Sequence, residues 1–127
     1  MPKQLLHIML KRVYDEVAED DGKRVLVDRL WPRGLSKERA RVDLWLKEVA
    51  PSSELRKWFG HEPEKFAEFR RRYEAELDTG NAQTKLAELR DMAKREHITL
   101  VFAAHDTEHN NAVVLRDLIR ILLANSK

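Results

Sequence analysis

The run ITLVFAA at residues 98–104 is uninterrupted by charge and lies between Glu96-His97 and His105-Asp106. An apolar run bounded in this way is the mark of a central strand buried on both faces. Working outward from it, KRVLVDRL at residues 23–30 sets Val25, Val27 and Arg29 against Leu26, Asp28 and Leu30. That pattern suits a second strand packed on both faces, with an end that emerges into polar surroundings. Trp31-Pro32 stops it, because proline cannot donate to the ladder and restrains the residue before it. Leu5–Tyr14, rich in aliphatic and β-prone residues, reads as a first strand, and acidic Asp15–Gly22 as a loop.

Between these strands the pattern is helical. Ser36 can cap a short turn, and Asp43–Val49, with Leu44, Trp45, Leu46 and Val49, reads as part of the helical middle. Ser52 or Ser53 caps a helix that ends at Gly60. Pro63 opens another that runs to about Asp78, with Phe66, Phe69, Tyr73 and Leu77 on one face. Thr79-Gly80-Asn81 breaks it, and the next helix, to about Glu96, turns Ala82, Leu86, Leu89 and Ala93 inward. A last helix to about Ala124 buries Ala112, Leu115, Leu118, Ile119 and Leu122, after a loop at His105–His109. The expected fold is α/β: a single domain over residues 1–127, with a small, mostly parallel central sheet of few strands flanked by about five helices.

Composition narrows the chemistry. The 127 residues fit one domain, and 43% hydrophobic with 36% charged residues describes a folded core under a solvated exterior. With no cysteine, disulfides, thiolate nucleophiles and Cys-based metal sites are excluded. The start, MPKQLLHIMLKRVYDE, reads as neither a signal peptide nor a membrane span, so the expectation is a cytoplasmic protein with no membrane partner. The 24 basic and 22 acidic side chains are too balanced to favour a nucleic-acid partner. Five cations between Arg29 and Arg41 stand against Glu38 alone, however, and a local cluster of that kind suits a site for an anion.

Two segments can carry chemistry, and both follow the most strand-like runs. Ligands of open α/β sheets bind beyond the carboxyl ends of strands, so parallel neighbours would bring the two segments together. In the first, Asp28–Gly34, Arg29 and Arg33 flank a Trp-Pro turn and can present guanidinium groups to a phosphate or carboxylate, with Asp28 orienting Arg29. Trp31 can stack a base or sugar. The alternative is a structural Asp28–Arg29 ion pair with Trp31 plugging the core. In the second, His105–Asn111, Asp106 or Thr107 is placed to cap the last helix, whose N-terminus would face the same region. His105 and His109 can transfer protons at neutral pH, with His109 the nearer to the helix start. Asn110 and Asn111 would hydrogen-bond the ligand. The alternative is a capped helix whose polar groups satisfy the loop.

The second segment also matches H-x-x-E-H, but it follows a strand end rather than lying on a helix, and only Asp117 remains downstream as an acidic ligand; no metal site is assigned. No cofactor motif is present. Lys57–His61 reads as the packing of a helix end, Arg70-Arg71-Arg72 as a solvated face beside Glu68, Glu74 and Glu76, and His7 as a core or edge residue of the first strand.

The string VLVDRLWPRGLSKERARVDLWLKEVAPSSELRKWFGH, then FRRRYEAEL, then TLVFAAHDTEHNNAVVL, resembles the YeaO-like branch of the "domain of unknown function 488" family over nearly the whole chain. The resemblance implies a small bacterial or archaeal cytoplasmic α/β protein with no assigned activity. It also implies that the Asp-x-Arg…Pro strand end of longer relatives corresponds, with approximate spacing, to Asp28, Arg29 and Pro32. Their later Cys-Ala-Glu…Cys-His-Arg segment corresponds loosely to Ala104 through Asn110. Both cysteines and that arginine are missing from this chain, so thiol chemistry does not transfer.

The reading that follows is a pocket protein, enzyme or not, that binds a small anionic or phosphorylated ligand at the carboxyl end of the sheet. Arg29 and Arg33 hold the anion, with Trp31, Asn110 and Asn111 beside it. His105 or His109, with Asp28, supplies any proton transfer. Its rivals are a nucleic-acid-associated or regulatory module using the Arg29–Arg41 cluster, and an interaction adaptor without a pocket. Oligomeric state is left open.

Overall fold

The computed structural model describes residues 8–125; His7 lies outside them. Four strands, β1 (Ile8–Arg12), β2 (Lys23–Leu26), β3 (Leu44–Trp45) and β4 (Ile98–Phe102), form one sheet in the order β1-β4-β2-β3. Every pairing is parallel, with Ile8 and Lys23 both in register with Ile98. The 98–102 run is therefore central, and each of its residues is at most 1% exposed. Five helices complete the α/β domain: α1 (Lys37–Ala40), α2 (Ser53–Phe59), α3 (Phe66–Leu77), α4 (Gly80–Arg95) and α5 (Asn111–Ala124). No helix among the described residues is long and apolar enough to cross a membrane.

The alternation of the strands divides the core. Ile8, Val25, Ile98, Leu100 and Phe102 face the larger cluster, which the apolar stripes of α3, α4 and α5 complete with Phe69, Tyr73, Leu89, Leu115 and Ile119. Leu26, Val101 and Val13 face a smaller cluster with Ala40, covered by Trp31, Leu35, Val42 and Trp45. Gly22 allows β2 to enter beside β4. At φ +66 a side chain is disfavoured there, and an added Cβ would lie 2.3 Å from the His97 carbonyl oxygen.

Two expectations need correction. Residues 43–49 are not helical as a unit: Leu44 and Trp45 form the edge strand β3, and only Lys47–Val49 make a 3-10 turn. The N–H of Asp43 donates to Arg24 and that of Leu46 to Leu26, so strand pairing with β2 overrides the local apolar spacing. The break expected at 79–81 falls instead at Asp78-Thr79, because α3 ends at Leu77 and α4 begins at Gly80.

Candidate functional site

Because β2 and β4 are parallel neighbours, the chain leaves both at one edge of the sheet. The Val27 N–H donates to the Val101 carbonyl (3.2 Å), and the two following segments diverge around a cleft of about 770 Å³. Asp28, Arg29, Trp31, Arg33, His105, Asn110 and Asn111 all line it.

Asp28 is the most constrained of these. Its Oδ2 accepts from the Ala103 N–H (2.9 Å) and its Oδ1 from the Asn111 amide (3.1 Å). Burial pushes its pKa above the ordinary carboxylate value, outweighing those two hydrogen bonds and the nearby Arg56 charge. Asp28 does not orient Arg29, since no hydrogen bond or ion pair joins them. Both lie in the bend that follows β2, and Arg29 instead donates to the carbonyls of Pro51 (Nε, 3.2 Å) and Ala50 (Nη2, 3.2 Å). The Asp28–Arg29 ion pair is absent for the same reason.

Trp31 is half-buried. Its Nε1 donates to the Leu35 carbonyl (2.6 Å), and its ring meets Trp45 edge-on at 5.5 Å. Trp45 in turn donates to the Asp28 carbonyl (2.7 Å), so both indoles brace the turn. The backbone of Arg33 is held by the Tyr14 hydroxyl (2.9 Å), while its guanidinium is exposed and has no partner among the described residues.

In the second segment the cap of α5 is Asn110, not Asp106 or Thr107. Its Oδ1 accepts from the Val113 N–H (3.0 Å) and its Nδ2 donates to the Asp106 carbonyl (2.8 Å). Both ends of this 2%-exposed amide are thus committed to the chain. Asp106 instead closes the preceding turn, accepting from the N–H groups of Glu108 and His109 and from His109 Nδ1 (2.9 Å). Those bonds, led by the one from Glu108, hold its carboxyl below the usual range. His109 does not line the cleft; its ring stands edge-on to Phe66 at 5.3 Å. His105 lines the cleft and is exposed.

The opposite wall was not foreseen. Arg56, Lys57 and His61 reach the cleft from α2 and the turn after it, with Phe59 and Phe69 beneath them. Phe59 and Phe69 stack with centroids 4.3 Å apart. The position of α2 is set by its N-terminal loop. Tyr73 donates to the Val49 carbonyl, Arg29 to Ala50 and Pro51, and Glu76 accepts from both the N–H and hydroxyl of Ser52 (2.9 and 2.6 Å). Nothing local to residues 53–61 signals this role, because the contacts that fix it come from more than twenty residues away. His61 also adopts a left-handed backbone conformation (φ 60), uncommon for a side chain of its size. Among the described residues no group of three His, Cys, Asp or Glu could hold a metal ion.

No solved structure matches the chain. Among curated proteins, the uncharacterized protein YeaO of Escherichia coli (strain K12) is 46% identical over 117 residues, covering 92% of this chain and 100% of the relative. An uncharacterized protein of Mycobacterium tuberculosis (strain ATCC 25618 / H37Rv) is 46% identical over 112 residues, covering 88% and 92% respectively. A family model described as "Inactive DUF488-N3 subclade" matches residues 7–127. The chain therefore belongs to the DUF488 family, as a YeaO-like member.

Proposed function

We propose that this protein binds a small anionic, phosphorylated ligand in the cleft at the carboxyl edge of its sheet. The observation that carries this reading is the charge of the lining. Arg29, Arg33, Arg56 and Lys57 stand against the carboxylates of Asp28 and Asp106 alone in this lining, and among the described residues none of the four cations is in a salt bridge. Cations left without carboxylate partners around a concave wall attract an anion, and guanidinium groups match the geometry of a phosphate. A volume of about 770 Å³ lies within the range of small-molecule sites. Arg33, Arg56 and Lys57 contact the anion, Arg29 contributes its remaining N–H groups, and Trp31 and Asn111 border the ligand. Proton transfer by His105 or His109 with Asp28 is the enzymatic form of the same proposal. The word "inactive" in the description of the matching family favours the binding form. A cytoplasmic address, where phosphorylated small molecules are made, belongs to the proposal too.

The test is a thermal melt with inorganic phosphate. A ligand that binds only the native state raises the melting temperature by mass action. The intact chain responds, and Arg33→Ala and Arg56→Ala lose the response while keeping the phosphate-free melting temperature. A chain indifferent to phosphate and to phosphomonoesters alike defeats the reading.

A second reading has one observation of its own. Lys37, Arg39 and Arg41 are exposed and enter no salt bridge among the described residues, so α1 and its end present a basic surface away from the cleft lining. A nucleic-acid-binding role there requires an affinity that falls steeply with salt, because phosphate contacts release counterions. An affinity unaffected by charge reversal at these three residues excludes it.

A further inference from the structure

Resting on that reading, we propose that the ligand is an organic phosphomonoester with an apolar body and a hydrogen-bond donor at the end remote from the phosphate. The cleft is chemically graded. Its cations Arg33, Arg56 and Lys57, in no salt bridge among the described residues, are exposed and sit at the rim. Beside them the apolar floor presents Leu30 (64% exposed) and half-buried Trp31, backed by the buried Pro32, Pro51, Phe59 and Phe69. Inorganic phosphate alone would satisfy the cations and leave Leu30 and Trp31 in contact with water; an apolar body attached to the phosphate covers them.

At the strand end the character changes again, because Asp28 is a half-buried carboxyl group in the same lining. An ionised carboxylate has about four acceptor directions. The Ala103 N–H and the Asn111 amide fill two of them, one on each oxygen. Neither Arg29 nor any other cation bonds to it. The remaining directions accept a donor and reject a second acceptor, which would face the carboxylate lone pairs without a proton between them. A hydroxyl or amine on the ligand therefore fits beside Asp28, whereas an ether or ester oxygen does not.

The experiment uses four probes on the full chain, by calorimetric titration: inorganic phosphate, phenyl phosphate, 3-(hydroxymethyl)phenyl phosphate and its 3-(methoxymethyl) ether. Phenyl phosphate binds more tightly than inorganic phosphate because it covers the apolar floor. The hydroxymethyl compound binds roughly tenfold more tightly than its methyl ether, the scale of one hydrogen bond to a charged acceptor. In Asp28→Asn that preference disappears, since an amide can donate to either oxygen. A 13C shift of the Asp28 carboxyl on binding the hydroxymethyl probe but not the ether gives the same answer without a mutation. Equal affinities of alcohol and ether in the wild type overturn the donor inference but leave anion binding standing. Equal affinities of phenyl and inorganic phosphate overturn the apolar body. Failure of all four probes to bind overturns this proposal together with the reading on which it rests.

Discussion

The side-chain amide of Asn111 donates to the Val27 carbonyl at 2.9 Å and to Asp28 Oδ1 at 3.1 Å. One residue at the start of α5 thereby closes the open end of β2, where the ladder runs out. The same Asp28 reaches across to the Ala103 N–H at the end of β4. The strand end of the cleft is thus a hydrogen-bonded ring of strand, helix start and strand.

Asn111→Ala removes the donor common to two acceptors in this ring. A partly buried acceptor left unpaired costs about 1–3 kcal/mol, so the variant should lose that much stability in urea titration with an unchanged slope. Asn111→Asp should be worse, since it sets a second carboxylate against Asp28. A loss below about 0.5 kcal/mol for the alanine variant would show that the ring is not a structural joint.

Arg29 and Arg33 should separate by what their removal does. Arg29 holds the 50–51 carbonyls and through them the start of α2, so Arg29→Ala should cost about 1–3 kcal/mol. Arg33 has an exposed guanidinium with no partner among the described residues, and its alanine variant should lie within about 0.5 kcal/mol of the parent. Equal stability of the two variants would remove Arg29 from the role of strut.

The contrast between these arginines shows where sequence reading reaches its limit. The buried run at 98–102 and the stripes of α3, α4 and α5 are visible because their signals lie within the element. The joining of residues 28–34 and 105–111 at one edge follows from two strands being parallel neighbours. β3 is illegible, because Leu44 and Trp45 become a strand only through the presence of Val25 and Leu26 beside them. The choice of Asn110 over Asp106 as cap is equally opaque, since both are good capping residues and only the path of the loop decides between them. The Arg56, Lys57 and His61 wall depends on a loop fixed by Arg29, Tyr73 and Glu76, a relationship with no local trace.

Asp21 should make the fold acid-sensitive. It is buried and bonds to Lys11 Nζ (2.7 Å), Arg24 Nη1 (2.7 Å) and the Ala18 N–H (3.1 Å). Desolvation raises its pKa, but these bonds together outweigh it and hold the carboxyl below the ordinary value. A group whose pKa is lower folded than unfolded binds fewer protons in the native state. Its contribution is therefore fully present above the unfolded value of about 3.9, and is lost as pH falls through the lowered native value. Asp21→Asn should melt well below the parent at pH 7, and the gap should narrow as the pH falls below the unfolded value of about 3.9 and through the lowered native one. A gap independent of pH would mean that Asp21 acts through packing alone.

His105 and His109 should respond in opposite ways. His109 donates to Asp106 and packs its ring against Phe66, and it does not line the cleft. Its removal loosens the turn before α5, because Asp106 loses one of the bonds that close it. His109→Asn should therefore lower the melting temperature while leaving the phosphate response of the parent intact. His105 has no ring partner among the described residues to lose, and it lines the cleft. His105→Asn should keep the melting temperature and change the affinity for phosphomonoesters, most strongly at low salt if the imidazole is protonated when the anion binds. Any turnover found with such esters provides a second readout. A positioned acid or base is worth roughly 10²–10⁴-fold in rate, so its loss in His105→Asn alone would assign the proton to that residue. Loss of turnover in His109→Asn with the fold retained would return the role to the Asp106–His109 pair and require the cleft to extend around α5. If neither variant changes turnover, neither imidazole carries the proton.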